Sequence, residues 1–512
     1  MIFFTGLFLK LMKEYQIAVL DLGKTNKKLV VFDQDLRMLA EEKTVIGEYE
    51  ENGIKFDNLP EIEKWFIKSL RKFTRTFTNI MSISISTHGA TFVCIGADGK
   101  PSVPEISYTT DPGDDFHKAF YREFSDRKTL QKQTCTPDFN LLINSGKGIW
   151  FAMKKFGREF NRTKHILNFP QYFGYLLTGN VGAEPTYTGC HTYLWDFHKN
   201  SWSWVADSMG IIPYLPAKLG KPWDILGCIS APIIKETGLP VGATVTFGIH
   251  DSNASLLPYL ITMDEDFVLN STGTWCVMMH EKEKVEFRED ELGKVVFYNL
   301  NAFSKPVKTS IFMGGLEYES YTGILKKLTG NDRQPSFDYE RFSEIIRKRE
   351  LFILPSVAKG TGQFPDSSPR VIEKGRIYLY DDVIAGKEVP GFFYDYETAW
   401  AVLVISLVIQ TKISLERADM TDGLPLFIEG GFSNNDAYAK LLTAFYPASD
   451  VCITSLNEAT AFGAAILSKA SLEKIHPMQL KPMIHIDKKR VLKVAMKDID
   501  AYVSDFIRYI EM

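Results

Sequence analysis

One short segment near the start of this chain has residue types and spacing that suit contact with phosphate. It is Asp21-Leu-Gly-Lys-Thr-Asn-Lys-Lys28, which lies between two apolar runs. A glycine in a tight turn lets backbone N–H groups approach phosphate oxygens, because no Cβ blocks the way. Gly23 supplies that turn, Thr25 a hydroxyl and Lys28 a positive charge. Asp21, at a strand end, can hold Mg²⁺ through water molecules. Taken alone, an ordinary hairpin with solvated lysines explains the segment better, because short motifs often match by chance.

A second segment, Ser271-Thr-Gly-Thr-Trp275, offers the same ingredients in the middle of the chain. Gly273 makes the turn and Thr274 adds a hydroxyl donor. Alone it is equally weak evidence for a phosphate site. Two such turns in opposite halves are more informative, because a nucleoside triphosphate held between two lobes needs phosphate donors from both sides.

A glycine pair follows a late apolar run, in Gly430-Gly-Phe-Ser-Asn434. Gly430 and Gly431 allow a purine ring to lie flat against the backbone, and Asn434 can hydrogen-bond to it. A simple strand-to-helix turn is the alternative explanation of the same residues.

The pair His250-Asp251 lies between a strand-like run and a stretch of small residues that can open a helix. A carboxylate there is well placed as a general base that takes a proton from a substrate hydroxyl during attack on phosphorus. The alternative is an N-cap aspartate that bonds the first turn of the helix. His88, after the run MSISIST, can bond a polar substrate, although a histidine at a strand end often has a structural role.

Composition limits the class of protein but does not name a function. The 512 residues suggest about three domains, or equally two large ones. The 45% hydrophobic content excludes disorder over most of the chain. The 59 basic and 63 acidic residues give a net charge of −4, which argues against a nucleic-acid binder that relies on a global positive field.

The cysteines and the apolar segments indicate a cytoplasmic protein that does not cross a membrane. The six cysteines lie far apart and form no CxxC pair, so neither a disulfide framework nor a zinc site is expected. The apolar segment Met1 to Met12 is too short to span a bilayer, and we expect Met12 to be the natural start. The longest later apolar run, Ala399 to Ile409, is typical of a buried core helix.

Alternating strand and helix patterns predict an α/β fold with two lobes and a cleft between them. We expect the lobes to be residues 13–255 and 256–512. A hydrophilic insertion over Lys359 to Lys387 is predicted to form surface loops. Further predicted elements are strands at Ile17–Val19, Leu29–Phe32, Met81–Thr87, Phe92–Ile95, Thr244–Ile249, Phe267–Leu269 and Leu426–Ile428, and helices from Pro60 to Phe73, near Asn435–Phe445 and over Asn457–Ala470.

The order of these motifs along the chain is far more specific than any one of them. An early DxGxT hairpin, a mid-chain GxHDxxAS, a SxGT turn and a late GGxSxN together resemble the FGGY carbohydrate kinases, from about Tyr15 to about Ala470. The resemblance implies two actin-like, ribonuclease H-like lobes, with an ATP and Mg²⁺ site and a sugar site in the cleft. It implies sugar and ATP as partners, without nucleic acid or a membrane, and leaves a homodimer open.

The resemblance also implies a role for each matching residue. Asp251 matches the catalytic base and Asp21 the metal-binding carboxylate. The substrate-binding positions that it implies are Thr87, His88, His250 and Asp251. The ATP-binding positions are Gly23, Thr25, Lys28, Gly273, Thr274, Gly430, Gly431 and Asn434. Four positions depart from the usual pattern: Lys24 replaces a small residue, Lys28 an arginine, Phe432 a third glycine, and Gln171 an aspartate that many relatives carry.

The substrate implied is a ketose. The His-Asp pair, the Trp after Ser-Thr-Gly-Thr and the segment Phe312-Met-Gly-Gly315 are similar to the rhamnulose and fuculose kinase branch. A 6-deoxyketohexose such as L-rhamnulose or L-fuculose is therefore the leading expectation, and a pentulose such as xylulose is next. Two further hypotheses stay open, namely an ATPase of the wider actin-like group and a non-catalytic sugar-responsive regulator.

Overall fold

Two large mixed β-sheets form the framework of the protein. The computed structural model describes residues 14–358, 360–456 and 458–512. Its strands are β1 (Gln16–Leu22), β2 (Asn26–Asp33), β3 (Met38–Val45), β4 (Glu48–Glu51), β5 (Ile54–Asp57), β6 (Ile80–Thr87), β7 (Phe92–Gly96), β8 (Thr163–Asn168), β9 (Trp195–Asp196), β10 (Ser201–Trp202), β11 (Ile225–Cys228), β12 (Thr244–Thr246), β13 (Ile249–His250), β14 (Val268–Thr272), β15 (Cys276–Glu281), β16 (Val296–Leu300), β17 (Pro306–Phe312), β18 (Leu351–Leu354), β19 (Arg370–Glu373), β20 (Arg376–Leu379), β21 (Leu426–Gly430), β22 (Val451–Ser455) and β23 (Asp487–Arg490).

Helices cover the faces of these sheets. They are α1 (Leu59–Phe73), α2 (Asp114–Phe124), α3 (Arg127–Thr134), α4 (Ser145–Lys155), α5 (Gly157–Phe160), α6 (Phe169–Thr178), α7 (Pro185–Thr188), α8 (Trp204–Ser208), α9 (Ala231–Thr237), α10 (Asp251–Thr262), α11 (Gly314–Thr329), α12 (Tyr339–Lys348), α13 (Tyr380–Ile384), α14 (Tyr396–Arg417), α15 (Asp436–Phe445), α16 (Ala459–Glu473) and α17 (Ile499–Glu511). Short 3-10 turns lie at Ile212–Tyr214, Glu289–Glu291, Gly391–Tyr394, Gly431–Asn434 and Pro477–Met483.

The two large sheets repeat one topological pattern. In the first, β1, β2 and β3 form an antiparallel meander, and β6, which also pairs with β12 and β13, runs parallel to β1. In the second, β14, β15 and β17 form the antiparallel part, and β21 and β22 continue it parallel to β14. Strands β1 and β21 are buried along nearly their whole length, as central strands with both faces covered must be. The predicted α/β fold with two lobes is confirmed.

Helix α16 lies near the C-terminal end of the chain but packs on the first sheet. It lies beside α10, and Gly463 allows the two helices to approach, because a Cβ there would stand 2.0 Å from the carbonyl oxygen of Ala254. Ser468 accepts a hydrogen bond of 2.9 Å from Ser82 on β6, and Lys469 donates to the backbone of Gln34 at 2.7 Å. The last third of the chain therefore closes the core of the first sheet.

Most predicted elements are confirmed, with shifts of a few residues at their ends. Helix α14 is long and apolar enough to cross a membrane by length and composition, with a mean hydropathy of 1.7, but 83% of that window is buried inside the protein. This confirms the prediction of a buried core helix. The prediction about Met1 to Met12 concerns residues outside the described ranges.

Three predictions need correction. The insertion predicted as surface loops contains β19, β20 and α13, and β19 joins β18 and β20 in a three-stranded sheet whose inner residues are buried. The strand predicted over Thr244 to Ile249 is broken into β12 and β13. Gly248 makes the break at φ 83°, in the left-handed region where glycine is favoured. The strand predicted over Phe267 to Leu269 is longer, because β14 continues to Thr272 and the second glycine turn begins only at Gly273.

Candidate active site

Three strands of the first sheet end at the same edge. Asp21 on β1 pairs with Ser86 on the parallel strand β6, and Thr87 pairs with His250 on β13. The carboxyl ends of parallel strands meet at one edge of a sheet, which is where ligands bind in such folds. This register is the reason that Asp21, His88 and Asp251 come together although 230 residues separate the first from the last.

The second sheet brings its two glycine segments together in the same way. Thr272, at the end of β14, pairs with Gly430 at the end of β21. Its hydroxyl donates to the carbonyl of Glu429 at 2.5 Å and accepts from the N–H of Phe432 at 2.9 Å. The turn that begins at Gly273 is therefore tied directly to the turn of Gly430 and Gly431.

A cavity of about 450 Å³ lies where the two sheet edges face each other. The predicted site residues that line it are Asp21, Gly23, Thr25, Lys28, His88, His250, Asp251, Gly273 and Thr274. The residues that sequence reasoning missed include Lys24, Tyr108, Phe139, Ile143, Cys190, His191, Ser255, Trp275, Phe297, Asn299 and Thr460.

Four predicted positions lie outside this lining. The Thr87 side chain is buried and donates to the carbonyl of His88 at 3.0 Å. Gly430 and Gly431 begin the 3-10 turn behind Thr272, and Asn434 is exposed at the end of that turn. The adenosine positions therefore form a surface next to the cavity rather than part of its wall.

Asp251 is the first residue of α10 and its carboxylate faces the cavity. Its Oδ1 accepts the N–H of Ser252 at 2.6 Å and lies 3.3 Å from Nε2 of His250. Withdrawal from water raises the pKa of Asp251 above its ordinary value, and the hydrogen bonds from Ser252 oppose the rise. A carboxylate with a raised pKa is a better proton acceptor, which is what a general base needs.

Asp21 lies in a cluster of charged groups at the end of β1. Burial raises the pKa of Asp21 to about 7, with Asp251 and Glu458 adding to the rise and Lys28 opposing it. Lys28 itself forms an ion pair with Glu458, which precedes α16. The Asp21 carboxylate at this strand end supplies oxygen ligands suited to a hard divalent cation, and the neighbouring negative charges of Asp251 and Glu458 favour a cation there, so Asp21 fits Mg²⁺.

Three histidines near the cavity are neutral at pH 7. Burial lowers the pKa of His88 to about 4, that of His191 to about 3 and that of His250 to about 4. Nδ1 of His191 lies 3.1 Å from the carbonyl oxygen of Ile143, which can only accept. Nδ1 therefore carries the proton of His191, and Nε2 is left as an acceptor.

Two carboxylates fix the side chain of Lys24, the residue that stands where the FGGY pattern usually has a small one. Its ammonium lies 2.5 Å from Glu48, 2.8 Å from Asp57 and 2.7 Å from the hydroxyl of Ser107. It also lies 4.7 Å from the ring centre of Tyr108, a cation–π contact. Lys24 thus ties the tip of the first hairpin to the wall of the cavity.

One side of the cavity is apolar. Phe139, Ile143 and Phe297 belong to a cluster of buried side chains, and Trp275 packs against it at the border of the second glycine turn. Phe139 and His191 meet edge to face with ring centres 5.7 Å apart. A ligand in this cavity therefore meets both apolar side chains and polar, acidic ones.

Gly315 explains why the second glycine turn can lie against α11. A Cβ at Gly315 would stand 2.2 Å from the carbonyl oxygen of Gly273. The segment Phe312-Met-Gly-Gly315 is thus a contact surface for the turn, and its two glycines are a requirement of close packing.

This arrangement defines a two-lobed, actin-like α/β protein whose candidate site lies in the cleft between the lobes. Residues 16–258 match the N-terminal domain of the FGGY family of carbohydrate kinases. Residues 264–477 match the C-terminal domain of the carbohydrate kinase FGGY family. The chain belongs to the FGGY family of carbohydrate kinases.

Two curated relatives match about half of this chain. The chain is 23% identical to a rhamnulokinase of Halalkalibacterium halodurans over 52% of its own length, and 23% identical to an L-fuculokinase of Salmonella typhi over 54%. It spans 56% and 58% of the length of these two relatives.

The solved structures are similar over nearly the whole chain. A carbohydrate kinase from Novosphingobium aromaticivorans is 22% identical, with a TM-score of 0.77 over 98% of this chain and 99% of that one. A ligand-bound xylulose kinase from Lactobacillus acidophilus is 15% identical, with a TM-score of 0.78 over 97% of each chain. Because both identities are below 25%, these two structures support the fold of this chain and nothing further.

Proposed function

We propose that this protein transfers the terminal phosphoryl group of ATP to a hydroxyl of a ketose, with Asp251 as the general base. The observation that carries the proposal is the position of the Asp251 carboxylate, which lines one cavity together with the glycine turns at Gly23 and Gly273. Such an arrangement lets an acceptor hydroxyl lie next to the base while phosphate is held from both lobes.

Each part of the cleft has a role in this reaction. The backbone N–H groups that follow Gly23 and Gly273 hold phosphate oxygens, with the hydroxyls of Thr25 and Thr274 beside them, whereas the N–H of Gly273 itself donates to the carbonyl of Trp275. Lys28 contributes a positive charge when it leaves Glu458. Asp251 takes the proton of the attacking hydroxyl as the oxygen–phosphorus bond forms, and ADP leaves with the former bridging oxygen.

Asp21 is the residue that would hold Mg²⁺. Asp251 and Glu458 lie near enough to raise the pKa of Asp21. When bound, the ion neutralises charge on the phosphates during transfer. The adenosine group is assigned to the surface of Gly430, Gly431 and Asn434, which adjoins the second phosphate turn through Thr272.

We assign the acceptor to the 6-deoxyketohexoses, with L-rhamnulose and L-fuculose as the first candidates. The apolar side chains of Phe139, Ile143 and Phe297 suit the methyl group of such a sugar. The neutral rings of His191 and His250 can form hydrogen bonds with its hydroxyl groups. The names of the curated relatives agree with this choice. A pentulose such as xylulose is the second candidate. A cytoplasmic location and sugar and ATP as the partners belong to the same proposal.

The test is release of ADP from ATP and Mg²⁺ across a panel of L-rhamnulose, L-fuculose, D-xylulose, further ketoses and polyols, with a control that lacks sugar. The proposal expects ADP release that depends on a ketose, with the highest kcat/KM for a 6-deoxy sugar. The highest kcat/KM for a pentulose would favour the second candidate. ADP release without sugar would favour an actin-like ATPase, and sugar binding without ADP release would favour a regulator.

A further inference from the structure

Three side chains with nitrogen or sulfur donors meet at one wall of the cavity. The ligand atoms of Cys190, His191 and His250 all lie within 4.8 Å of one another. The thiol sulfur of Cys190 lies 3.8 Å from Nε2 of His250. In a tetrahedral Zn²⁺ site with Zn–S of about 2.3 Å and Zn–N of about 2.0 Å, neighbouring donors stand about 3.3 to 3.8 Å apart. Small side-chain rotations therefore bring the three donors to the separations that a zinc ion requires.

Gly89 leaves the space in which such an ion would lie. A Cβ on Gly89 would stand 2.8 Å from Nε2 of His250 and 3.1 Å from Nε2 of His191. Both ring nitrogens thus point to the same place above a residue without a side chain. All three donors line the cavity, so an ion can reach them from solvent.

The hydrogen bonds around the cluster prepare the histidines as ligands. The carbonyl of Ile143 holds the proton of His191 on Nδ1, which leaves a lone pair on Nε2. A histidine that ligates a metal usually donates its other ring N–H to a carbonyl or a carboxylate in this way. Nδ1 of His250 is buried and has no hydrogen-bond partner within the described ranges, so Nδ1 is free to carry the proton when Nε2 binds.

We propose that Cys190, His191 and His250 form a binding site for Zn²⁺ in the wall of the sugar cavity, and that Zn²⁺ bound there excludes the sugar. The cysteine binds as a thiolate, so the S–H proton passes to solvent as the sulfur–zinc bond forms. The sugar-exclusion part of this inference rests on the function proposed above, whereas the metal site itself does not.

The same geometry places the ion next to the reacting groups. Asp251 Oδ1 lies 3.3 Å from Nε2 of His250, which is the separation of neighbouring ligands in a tetrahedral site. A zinc ion on His250 therefore attracts this carboxylate and keeps it from accepting a proton. We expect Zn²⁺ to act as an inhibitor that competes with the sugar.

The experiment measures binding of Zn²⁺ to the full chain by calorimetry, without ATP. Co²⁺ is used in parallel, because a thiolate ligand gives Co²⁺ a characteristic charge-transfer absorption. The variants are Cys190→Ala and His191→Gln, and the matched control is Cys228→Ala, which removes the exposed cysteine. Folding of each variant is checked by circular dichroism and by its unfolding midpoint.

The proposal expects one Zn²⁺ per chain and a loss of at least about tenfold in affinity for each of the two variants, because loss of even an outer-shell partner costs about 10- to 100-fold. Cys228→Ala should bind Zn²⁺ like the unaltered chain, and a saturating ketose should weaken Zn²⁺ binding. Unchanged affinity in Cys190→Ala, or loss of binding in Cys228→Ala alone, would overturn the site. If one variant is unfolded, the other decides the result.

Failure of this inference is distinguishable from failure of the proposed function. An active kinase that binds no Zn²⁺ overturns the metal site and leaves the function intact. A chain that binds Zn²⁺ through Cys190 but phosphorylates no ketose retains the site and loses its link to the sugar.

Discussion

Replacement of Asp251 by asparagine tests the role of the base most directly. The amide side chain introduced at this position would keep an oxygen that can accept the Ser252 N–H now bonded at 2.6 Å, so the start of α10 and the shape of the cavity should persist. What the variant loses is a proton acceptor. General-base catalysis contributes about 10²- to 10⁴-fold to rate, which is about 3 to 5 kcal/mol of barrier.

The assay is steady-state ADP release with the preferred ketose, together with calorimetric binding of that ketose. We expect kcat of Asp251→Asn to fall by at least about 100-fold while the sugar dissociation constant changes little. Asp264→Asn is the matched control, because Asp264 is exposed just beyond the end of the same helix. A variant that retains near-normal kcat would refute the assignment of Asp251.

The pH profile gives an independent check on the same residue. The pKa of Asp251 is raised above its ordinary value because the cavity withdraws it from water. Since only the carboxylate accepts a proton, kcat/KM should be full above the raised pKa and should fall as pH decreases through it. A profile that stays flat down to the ordinary aspartate range would contradict the stated environment.

Three further outcomes follow from single contacts. Glu458→Gln removes the ion pair that holds Lys28 and frees Lys28 for phosphate. Since a partly exposed ion pair is worth about 0.2 to 1 kcal/mol, KM for ATP should fall by up to about fivefold in steady-state assays. A rise in KM for ATP would contradict this. Gly463→Ala puts a Cβ into the α10 backbone and should destabilise the protein by about 1 to 3 kcal/mol in urea unfolding, whereas Gly323→Ala, on an open helix surface, should not. Lys24→Met leaves the buried carboxylate of Asp57 without its cation and should lower the free energy of unfolding by about 1 to 3 kcal/mol, measured as a lower unfolding midpoint. The same variant should raise KM for the sugar more than KM for ATP.

The strands and most helices were predictable because their signals are local. The apolar run of β1 and the periodic pattern of α1 each depend on a few neighbouring residues. The short strands β19 and β20 were missed, since four residues within a polar, proline-containing stretch give no clear alternation.

The candidate site was predictable only as far as its motifs are local. Asp21 lies near the end of β1, His88 and Asp251 directly follow β6 and β13, and strand ends are readable from sequence. Lys24 meets Glu48 and Asp57 through side-chain contacts between separate hairpins, which no spacing rule indicates.

The cluster of donors was missed for the same reason. The sequence showed no CxxC pair, and the expectation of no zinc site rested on that spacing. Cys190 and His191 are adjacent, but the third donor, His250, lies 60 residues later and reaches them only because β13 pairs with β6.

The proposed substrate choice and the proposed metal sensitivity depend on the same property of this cavity, which is the burial of its polar groups. Asp251, His191 and His250 are withdrawn from water where they line the cavity, and the ring of His191 packs against Phe139 and Phe297. That withdrawal raises the pKa of Asp251, which strengthens it as a base, and lowers the pKa values of His191 and His250, which keeps their rings neutral. Neutral rings hydrogen-bond to sugar hydroxyls without attracting an anion, and neutral rings are also the form that binds Zn²⁺. A substitution that let water reach Asp251 should therefore lower its pKa and weaken the base.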